Sequence, residues 1–548
     1  MKVKYLKYSI LASALTMFSG CIGDLDVMPL NQNVITADKA YSTPESYTQA
    51  LCKLYSVWAL SGQDDPGASD LSGMRAGETV LLRCWWTMQE CSTDETNCAW
   101  GDKWVSEVNK LIWNTASVEP LEGLYHRSMY IVSAANDFLK NIDNAPAEIN
   151  KKEYKAEARF CRALAYYILM DAFGNPPFVT ETNMPEKPEQ IKRADLFKWL
   201  ETELNELKKD LPNKYEVYGR ADQATVNALL ARMYLNAEVY TGVPRYSDCI
   251  SACNSVISAG YELAPKYSEL FMADNGENPN TLKEIIFPIV NDGNATQSYG
   301  IGAIILGSRS GKEGSVENYG CNGGWDGFRS TGNLIRAFEF QTQDEASWTA
   351  DNIVDERGIF YDKDRSLDIT TSSIGTFTTE GWGVHKFTNL KSDGTPGKNV
   401  TFPDTDFPLF RLGEVYLMYA EAVARGGEGG DINLAVEYVN RLRMRGYNND
   451  ESKKIDADWL KASVKINNTS NTSIEYGNIL NERCRELYWE ALRRTDLIRF
   501  GLFTSDNYVW AEKGGVIQGT GVAEKYNLFP IPETDRSVND NLIQNEGY

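Results

Sequence analysis

Two neighbouring helical patterns constrain the fold of this chain more than any other feature. Residues 223–240 and 246–259 both space their apolar side chains as helices do, and only residues 241–245 separate them. In the first pattern, alanines at positions 224, 228, 231 and 237 allow a second helix to approach closely. Such a pair is typical of a tetratricopeptide-like hairpin. We therefore predict a mostly α fold, a tetratricopeptide-like α-superhelix.

Further helical patterns lie on both sides of this pair. The strongest spans residues 152–173 and is followed by Gly-Asn-Pro-Pro, which stops a helix. Residues 275–398 differ, because they are rich in Gly, Asn, Ser, Thr and aromatic residues and have a short β-like run at 284–290. We interpret them as a loop-rich, partly β insertion that forms the ligand face. The other predicted helices are residues 42–59, 121–139, 194–211, 412–425, 431–445 and 479–493.

The charge of the chain argues against a nucleic-acid partner. Its 76 acidic and 55 basic residues give a formal net charge of −21, whereas nucleic-acid binding needs clustered Lys and Arg. No run of eighteen apolar residues occurs after the N-terminus. This balance suits a secreted or surface protein that handles neutral ligands. The dense charges of residues 482–496 are interpreted as a structural salt-bridge network.

The first twenty residues have the pattern of a secretory signal. Three lysines precede a short apolar stretch at 8–18, which is too short to span a bilayer. Small residues then lead directly into Cys21, as at a bacterial lipoprotein cleavage site, while an ordinary secretory signal is the alternative. We predict a lipoprotein signal peptide at 1–20 and a lipidated Cys21 with its tether at 21–40, so that the lipid holds the protein at a membrane surface.

The remaining cysteines do not form the pattern of a disulfide framework or of a zinc site. If Cys21 is lipidated, nine remain, an odd number spread over most of the chain. Cys84, Cys91 and Cys98 lie seven residues apart, so one local disulfide among them stays open. Zinc is not expected, because the chain has only two histidines and no CxxC pair.

Residues 84–104 hold four of the thirteen tryptophans and are the first candidate for ligand contact. Most of this tryptophan segment has neither strand alternation nor helical period, which predicts an irregular surface loop. An indole can stack on the apolar face of a sugar ring while Arg, Asn or Asp binds the hydroxyls. For each single tryptophan the alternative is burial in the core. The candidate residues are Arg83, Trp85, Trp86, Glu90, Asp94, Glu95, Asn97, Trp100, Asp102, Lys103 and Trp104.

Two aromatic residues of the insertion and one oxygen-rich run are further candidates. Tyr299 follows a polar loop, and Trp325 has glycines on both sides, which leaves each ring accessible. The run that begins at Asp274 and continues to Asn278 is a candidate calcium site, although its spacing is not that of an EF-hand loop. No other cofactor is expected.

Seven short motifs follow one another in an order that resembles a known family. The seven are Asp24-Leu25-Asp26 after the lipoprotein start, 156–160 with 173–178, 219–222, 410–417 with 420–422, 482–483 with 493–501, 530–532, and 544–548. Each is weak alone, but their order is specific. Over its full length the chain resembles the SusD-like (RagB/SusD) outer-membrane glycan-binding lipoproteins of Bacteroidota. The resemblance is closest to the starch-binding founding member, because it includes the runs 93–95, 268–275 and 403–406.

The resemblance implies a fold, a division of the chain and a set of partners. Members of the family have an α-superhelix with tetratricopeptide-like repeats beneath a loop-rich ligand face, and they are not enzymes. They sit as a hinged lid over a SusC-like TonB-dependent transporter and deliver glycan to it. On this pattern, residues 41–274 are the N-terminal helical region with the tryptophan segment 84–104. Residues 275–548 are the RagB/SusD C-terminal region, including the insertion 275–398.

The resemblance also implies a binding site. By position, the family's arc of aromatic rings for starch falls on Trp100, Tyr299 and Trp325. The arginine that binds glucose hydroxyls falls on Arg83. An α-glucan of the starch or maltooligosaccharide type is therefore the first ligand expected.

Three positions depart from the family's starch site. A second loop tryptophan falls on Cys98, an asparagine contact falls on Lys103, and an aspartate contact falls near Arg75. Asp102 and Trp104 are candidates for replacement contacts. Because the stacking surface is kept while the hydrogen-bonding rim has changed, another glucan such as an α-1,6 dextran is the alternative ligand.

Two other functional classes stay open. A surface glycoside hydrolase needs two carboxylates that face each other across the sugar, and Asp94, Glu95 and Asp102 are the candidates. No hydrolase motif accompanies them. A protein-binding scaffold is the third interpretation, since tetratricopeptide-like helices often bind peptides.

Overall fold

The computed structural model describes residues 40–117, 119–215, 217–313 and 315–548. The predicted signal peptide, the lipidation site Cys21 and nearly all of the predicted tether lie outside these residues. Within the described ranges, no helix combines the length and the apolar character that crossing a membrane requires.

Helices dominate the described chain, as predicted. In chain order they are α1 (Pro44–Ser56), α2 (Leu81–Glu90), α3 (Lys103–Asn109), α4 (Leu121–Asn141), α5 (Lys151–Phe173), α6 (Arg193–Leu207), α7 (Gln223–Leu235), α8 (Ala237–Thr241), α9 (Tyr246–Ile257), α10 (Ile301–Gly307), α11 (Val316–Tyr319), α12 (Gly332–Ile335), α13 (Leu412–Ala424), α14 (Ile432–Gly446), α15 (Ala457–Lys461), α16 (Gly477–Leu487), α17 (Arg493–Arg499) and α18 (Glu533–Arg536).

The longer helices pack in pairs that continue from one to the next. Helix α4 packs against α5 and α5 against α6, while α7 packs against α9, α9 against α13, and α13 against α14. Helix α7 begins where the Asp222 carboxylate accepts the backbone N–H of Thr225 (2.8 Å). Its alanines Ala224, Ala228 and Ala231 are buried, because small side chains permit close helix contact. The helical pairing confirms the predicted tetratricopeptide-like class.

Two of the predicted helices are each divided in the structure. The predicted helix 223–240 is α7 followed by α8, with Asn236 between them. The pattern at 479–493 predicts a continuous helix, but α16 ends at Leu487 and α17 begins at Arg493. Between them, Trp489 and Ala491 have φ values of 63° and 60°, which a right-handed helix does not allow. The freed N–H of Ala491 donates to the Glu90 carboxylate (2.7 Å). A tertiary hydrogen bond therefore replaces a helical one.

Within the described residues, six short strands form three two-stranded antiparallel sheets. In chain order they are β1 (Thr96–Cys98), β2 (Ile285–Ile289), β3 (Phe328–Ser330), β4 (Phe360–Tyr361), β5 (Gly383–Val384) and β6 (Phe407–Arg411). β1 pairs with β3, β2 with β6, and β4 with β5. Four of the six strands lie in residues 275–398, whose described helices are all short. The predicted loop-rich, partly β character of this insertion is confirmed.

The prediction of a surface loop at 84–104 is wrong. Helix α2, strand β1 and helix α3 cover most of this segment, and all residues of α2 except Arg83 are buried. The polar residues Gln89 and Glu90 of this helix are buried as well, so its polar positions do not mark a solvent-facing side. The Trp85 and Trp86 indole N–H groups donate to backbone carbonyls of Ala491 (3.2 Å) and Trp489 (3.0 Å). These two tryptophans belong to the core.

Buried ion pairs join strand β6 to the C-terminal helices and these helices to each other. Arg411 pairs with Glu486 and Glu490 at 2.6 Å each. Arg483 pairs with Asp496 at 2.6 Å, and all these groups are nearly or fully buried. The predicted salt-bridge network of residues 482–496 is therefore confirmed as part of the core.

Candidate functional site

A cavity of about 620 Å³ opens where the tryptophan segment meets the insertion. The residues that line it are Gly67, Arg75, Ala76, Gly77, Glu78, Arg83, Trp100, Asp102, Trp104, Tyr299 and Trp325. Six of the seven residues predicted for glycan contact are therefore brought together. They come from three stretches of chain that are more than 200 residues apart at the extremes.

Trp100 is fixed by the sheet of β1 and β3. Past the end of β1, the Ala99 N–H donates to the Gly327 carbonyl of the insertion (2.8 Å). This bond places the next residue, Trp100, against the insertion. Any Cβ at Gly327 would overlap the Trp100 indole, so glycine is needed for this approach. The indole packs against Phe328 with ring centroids 4.7 Å apart, and its N–H donates to the Trp325 carbonyl (2.6 Å). The ring is thus rigidly held while partly exposed.

Trp325 is the second partly exposed ring. Its backbone N–H donates to the carbonyl of Leu306 (2.8 Å), in the last turn of α10. Its carbonyl is bound by the Trp100 indole, so the two tryptophans are connected directly. Among the described residues, the Trp325 indole N–H has no hydrogen-bond partner. Its ring face and this donor are therefore left for a ligand.

Tyr299 completes the aromatic set at an angle to Trp325. The two ring centroids lie 5.9 Å apart and the ring planes are inclined by 52°. On its other side Tyr299 contacts Phe402 at 5.6 Å. A Cβ at Gly77 would lie 2.5 Å from the phenol ring, so glycine is required beneath it. The phenol hydroxyl has no hydrogen-bond partner within the described chain.

Arg83 is the one partly exposed residue of α2 and lies over the Trp100 ring, with its guanidinium carbon 5.5 Å from the ring centroid. One guanidinium nitrogen donates to the Gly77 carbonyl (3.1 Å). Burial lowers the pKa of Arg83, and the nearby Glu78 carboxylate acts in the opposite direction. The other guanidinium N–H groups are not used by any described residue, so they can bind ligand hydroxyls.

Two charged residues of the cavity were not predicted as contacts. Glu78 forms an ion pair with Arg75 (2.5 Å), and its second carboxylate oxygen is buried without a hydrogen-bond partner. Burial raises the pKa of Glu78, while Arg75 and Arg83 oppose this shift. The i, i+3 spacing of Arg75 and Glu78 before α2 was the sequence signal available. Glu78 thus offers a hydrogen-bond acceptor beside the donors of Arg83.

The three other predicted contacts differ in their placement. Asp102 is exposed at the start of α3, and its carboxylate does not cap that helix. Trp104 lines the cavity but is only 6% exposed, and it packs edge-on against Trp100 at 6.2 Å. Lys103 does not reach the cavity; its side chain is 72% exposed and pairs with Glu107 (3.2 Å). Of these three, Asp102 is the best placed to contact a ligand.

Two of the three proposed hydrolase carboxylates are buried in the core. Asp94 accepts two hydrogen bonds from Arg493, each 2.7 Å long. Glu95 accepts the Trp489 N–H (3.2 Å), and burial raises its pKa to about 7. Neither lines the cavity, which leaves Asp102 as the one predicted candidate that does.

The structure also describes the calcium and disulfide candidates. The Asp274 carboxylate accepts the Ser392 N–H (2.9 Å) and hydroxyl (2.5 Å), and the Asn275 side chain bonds to backbone groups. No group of three or more His, Cys, Asp or Glu suited to a metal occurs in the described ranges. Cys84, Cys91 and Cys98 are buried free thiols, so the local disulfide left open by the sequence is not formed.

This arrangement suits a neutral polyhydroxylated ligand. Three rigid aromatic faces supply apolar contact, and the unpaired donors and acceptors around them can bind hydroxyl groups. Lining charges of both signs, two arginines and two carboxylates, balance formally. A strongly charged ligand would therefore gain little over a neutral sugar.

Comparison with known proteins agrees with this chemistry. A family model described as "SusD family" matches residues 283–548, and one described as "Starch-binding associating with outer membrane" matches residues 83–235. The chain is 33% identical to the starch-binding protein SusD of Bacteroides thetaiotaomicron, and the alignment covers 100% of both chains.

Solved structures share the fold. A surface glycan-binding protein A of Bacteroides thetaiotaomicron, in complex with laminarihexaose, superposes with a TM-score of 0.64 at 19% identity, covering 92% of this chain and 100% of that chain. A SusD-like carbohydrate-binding protein of Bacteroides fragilis superposes with a TM-score of 0.67 at 20% identity, covering 92% and 99%. At these identities the similarity concerns the fold.

Proposed function

The chain belongs to the SusD family, and we propose that it captures an α-glucan at the cell surface and delivers it to a SusC-like TonB-dependent transporter. Family membership supports a non-catalytic surface glycan-binding protein associated with the outer membrane. The glucan linkage, the lipid anchor and the transporter are what the proposal adds.

The observation that carries the proposal is the tilt between neighbouring aromatic rings in one cavity. Trp325 and Tyr299 are adjacent but inclined by 52°, and Trp100 is bonded to the Trp325 backbone. A flat glycan ribbon would stack on parallel rings. A glycan whose chain curves, as an α-1,4-glucan does, can place successive sugar faces on inclined rings.

The expected affinity is modest. Stacking of a ring on an aromatic side chain is worth about 1–2 kcal/mol by analogy with other aromatic contacts. Three such contacts, reduced by the cost of ordering the ligand, correspond to roughly micromolar to millimolar dissociation constants. Such weak binding suits a protein that must pass its ligand on.

An α-1,6-linked dextran is the alternative ligand within the same function. Two positions at the rim of the cavity favour this alternative. Arg75 lies near the position where the family has an aspartate contact, and Lys103, at the position of an asparagine contact, does not line the cavity. A surface glycoside hydrolase is the alternative from another class. It has little support, since the Asp94 carboxylate is hydrogen-bonded to Arg493 and the Glu95 carboxylate to the Trp489 backbone N–H.

Affinity electrophoresis of the purified protein tests the proposal. The gels contain amylopectin, dextran, laminarin or a soluble β-1,4-glucan, and calorimetry with soluble oligosaccharides follows. We expect amylopectin to retard the wild type most and the flat β-1,4-glucan not at all. Trp325→Ala should weaken binding about five- to thirtyfold, the equivalent of the 1–2 kcal/mol above.

The matched control is Trp348→Ala. Trp348 is also partly exposed, but it stacks on Phe340 at 4.1 Å outside the cavity, so affinity should not change. Retardation by dextran alone would select the alternative linkage, and new reducing ends during incubation would select the hydrolase. The binding proposal is wrong if no glucan retards the wild type, or if Trp325→Ala and Trp348→Ala bind glucan with equal affinity.

The anchor and the transporter have their own test. Lipid chains on Cys21 would hold the protein at the membrane through buried methylenes. Cys21→Ala should therefore move the protein from the membrane fraction to the soluble fraction. A tagged wild type solubilised in detergent should co-purify with a TonB-dependent barrel. Membrane retention of the variant contradicts lipidation, and absence of the barrel contradicts delivery.

A further inference from the structure

The loop that carries Tyr299 is polar and has little packing of its own. Residues 291–298 contain two exposed positions, Asn294 and Ala295, and no helix or strand. The Asp292 carboxylate accepts the N–H groups of Asn294 (2.9 Å) and Ala295 (2.8 Å), which closes a local turn. A local turn fixes the shape of the loop, but it does not fix where the loop stands against Trp325. Contacts from elsewhere must do that.

Two buried aspartates supply these contacts. One Asp406 carboxylate oxygen accepts the backbone N–H of Asn291 (2.6 Å), and one Asp404 oxygen accepts that of Gly293 (2.7 Å). The second Asp404 oxygen accepts the N–H of Lys398. Asp404 and Asp406 are 5% and 4% exposed, so these bonds are shielded from water. Any Cβ at Gly293 would overlap the Phe402 carbonyl, so the two strands of chain are in close contact.

Two buried asparagine side chains bind the backbone of these aspartates. The Asn275 side chain accepts the Asp406 N–H (3.0 Å) and donates to the Asp406 carbonyl (2.9 Å). The Asp404 N–H donates to the Asn389 side chain (2.9 Å). Asn275 and Asn389 are fully buried. Phe402, from the same stretch as the aspartates, contacts the Tyr299 ring at 5.6 Å.

We propose that Asp404 and Asp406 are positioning residues that set the place and tilt of Tyr299 in the glycan cavity. The inference rests on the proposed function and assigns a role to the shared run 403–406. The run 268–275 acts through Asn275, which clamps the Asp406 backbone. The aspartates touch no ligand. They hold the first residues of the loop, and Phe402 supports the ring at its end.

A double-mutant cycle in amylopectin gels and by calorimetry tests the proposal. Asp404→Ala should lower the affinity about three- to tenfold in the wild-type background. In the Tyr299→Ala background the same change should have no further effect, because the ring it positions is absent. In the Trp100→Ala background it should keep its full effect, because Trp100 is held by a different sheet.

Conservative and control variants separate positioning from general damage. Burial raises the pKa of Asp406 to about 7, so neutral Asn is a close mimic that still offers an acceptor to Asn291. Asp406→Asn should therefore keep the affinity that Asp406→Ala loses. The matched control is Asp393→Ala, since Asp393 is exposed and bonds only within its own turn.

Hydrogen exchange of the unliganded protein provides a readout that needs no glycan. The Asn291 and Gly293 amides should exchange at least about tenfold faster in Asp406→Ala and Asp404→Ala respectively, while helix α5 stays protected. Equal losses of affinity with and without Tyr299, or unchanged exchange of both amides, would overturn the proposal. If the wild type binds no glucan, the proposed function fails. The exchange data alone then decide whether Asp404 and Asp406 hold the loop in place.

Discussion

The two sides of the cavity that contains Trp100, Tyr299 and Trp325 are held by different kinds of interaction. Arg83 and Trp100 extend from a helix and a strand that are buried in the core, and Trp100 packs against Phe328 and Trp104. Tyr299 extends from a polar loop, which hydrogen bonds to Asp404 and Asp406 hold in place. One side is thus fixed by apolar packing and the other by a few buried hydrogen bonds.

The difference tells us what a substitution on each side can do. Behind Trp100, polar groups such as Asp94 are part of the core, so their removal acts on the folding equilibrium. Behind Tyr299, the aspartates hold a surface loop whose local opening does not require global unfolding. Core damage should therefore appear as lost stability, and loop damage as lost affinity.

Asp94→Ala should have the largest effect and should act on stability. Asp94 is fully buried and pairs with Arg493 through two hydrogen bonds of 2.7 Å. Removing it leaves Arg493 with longer contacts to Glu95 (3.5 Å) and the Leu480 carbonyl (3.5 Å), which corresponds to a loss of about 3–5 kcal/mol. Urea denaturation should show a lower midpoint, while the folded fraction keeps its glucan affinity.

The control for this substitution is Asp102→Ala. Asp102 is exposed and its carboxylate makes no hydrogen bond within the described chain, so the denaturation midpoint should stay unchanged. If Asp94→Ala is as stable as the wild type, or loses glucan affinity at unchanged stability, the division between a core-fixed side and a loop-fixed side is wrong.

Arg83→Ala should have a smaller effect and should act on affinity. The guanidinium has donors that no described residue uses, and a hydrogen bond from a charged group is worth about 1.5–3 kcal/mol. Calorimetry should show about 10- to 150-fold weaker glucan binding. The comparison variant is Arg75→Ala. The Arg75 side chain is 59% exposed and pairs with Glu78, so this variant should lose less glucan affinity than Arg83→Ala. Equal losses in both variants would show that Arg83 acts through charge alone.

The sequence predicted most of the helices and missed the features that depend on distant partners. Alanine spacing located α7 and α9, since it reflects local propensity and a helical face. The same reasoning failed for α2, because its polar residues Gln89 and Glu90 are buried against distant partners and do not face solvent. It also failed at Trp489 and Ala491, where the Glu90 carboxylate stabilises a break in the helix.

For the site, the sequence identified the aromatic residues but could not decide which of them are exposed. Trp85, Trp86 and Trp100 lie in one short segment, yet the first two are core residues and the third faces the cavity. Glu78 was not predicted, because only its position opposite Arg83 makes it a lining residue. Lys103 follows Asp102 directly but points away to Glu107.

By itself, the sequence determined the helical class, the aromatic residues proposed to stack on a sugar and the family to which the chain belongs. These follow from side-chain chemistry and from spacing along the chain. Only the tertiary structure decided that Trp100, Tyr299 and Trp325 share one cavity, and that two aspartates a hundred residues further on hold one of them. The physical reason is that exposure and orientation depend on contacts between distant segments, which local spacing does not encode.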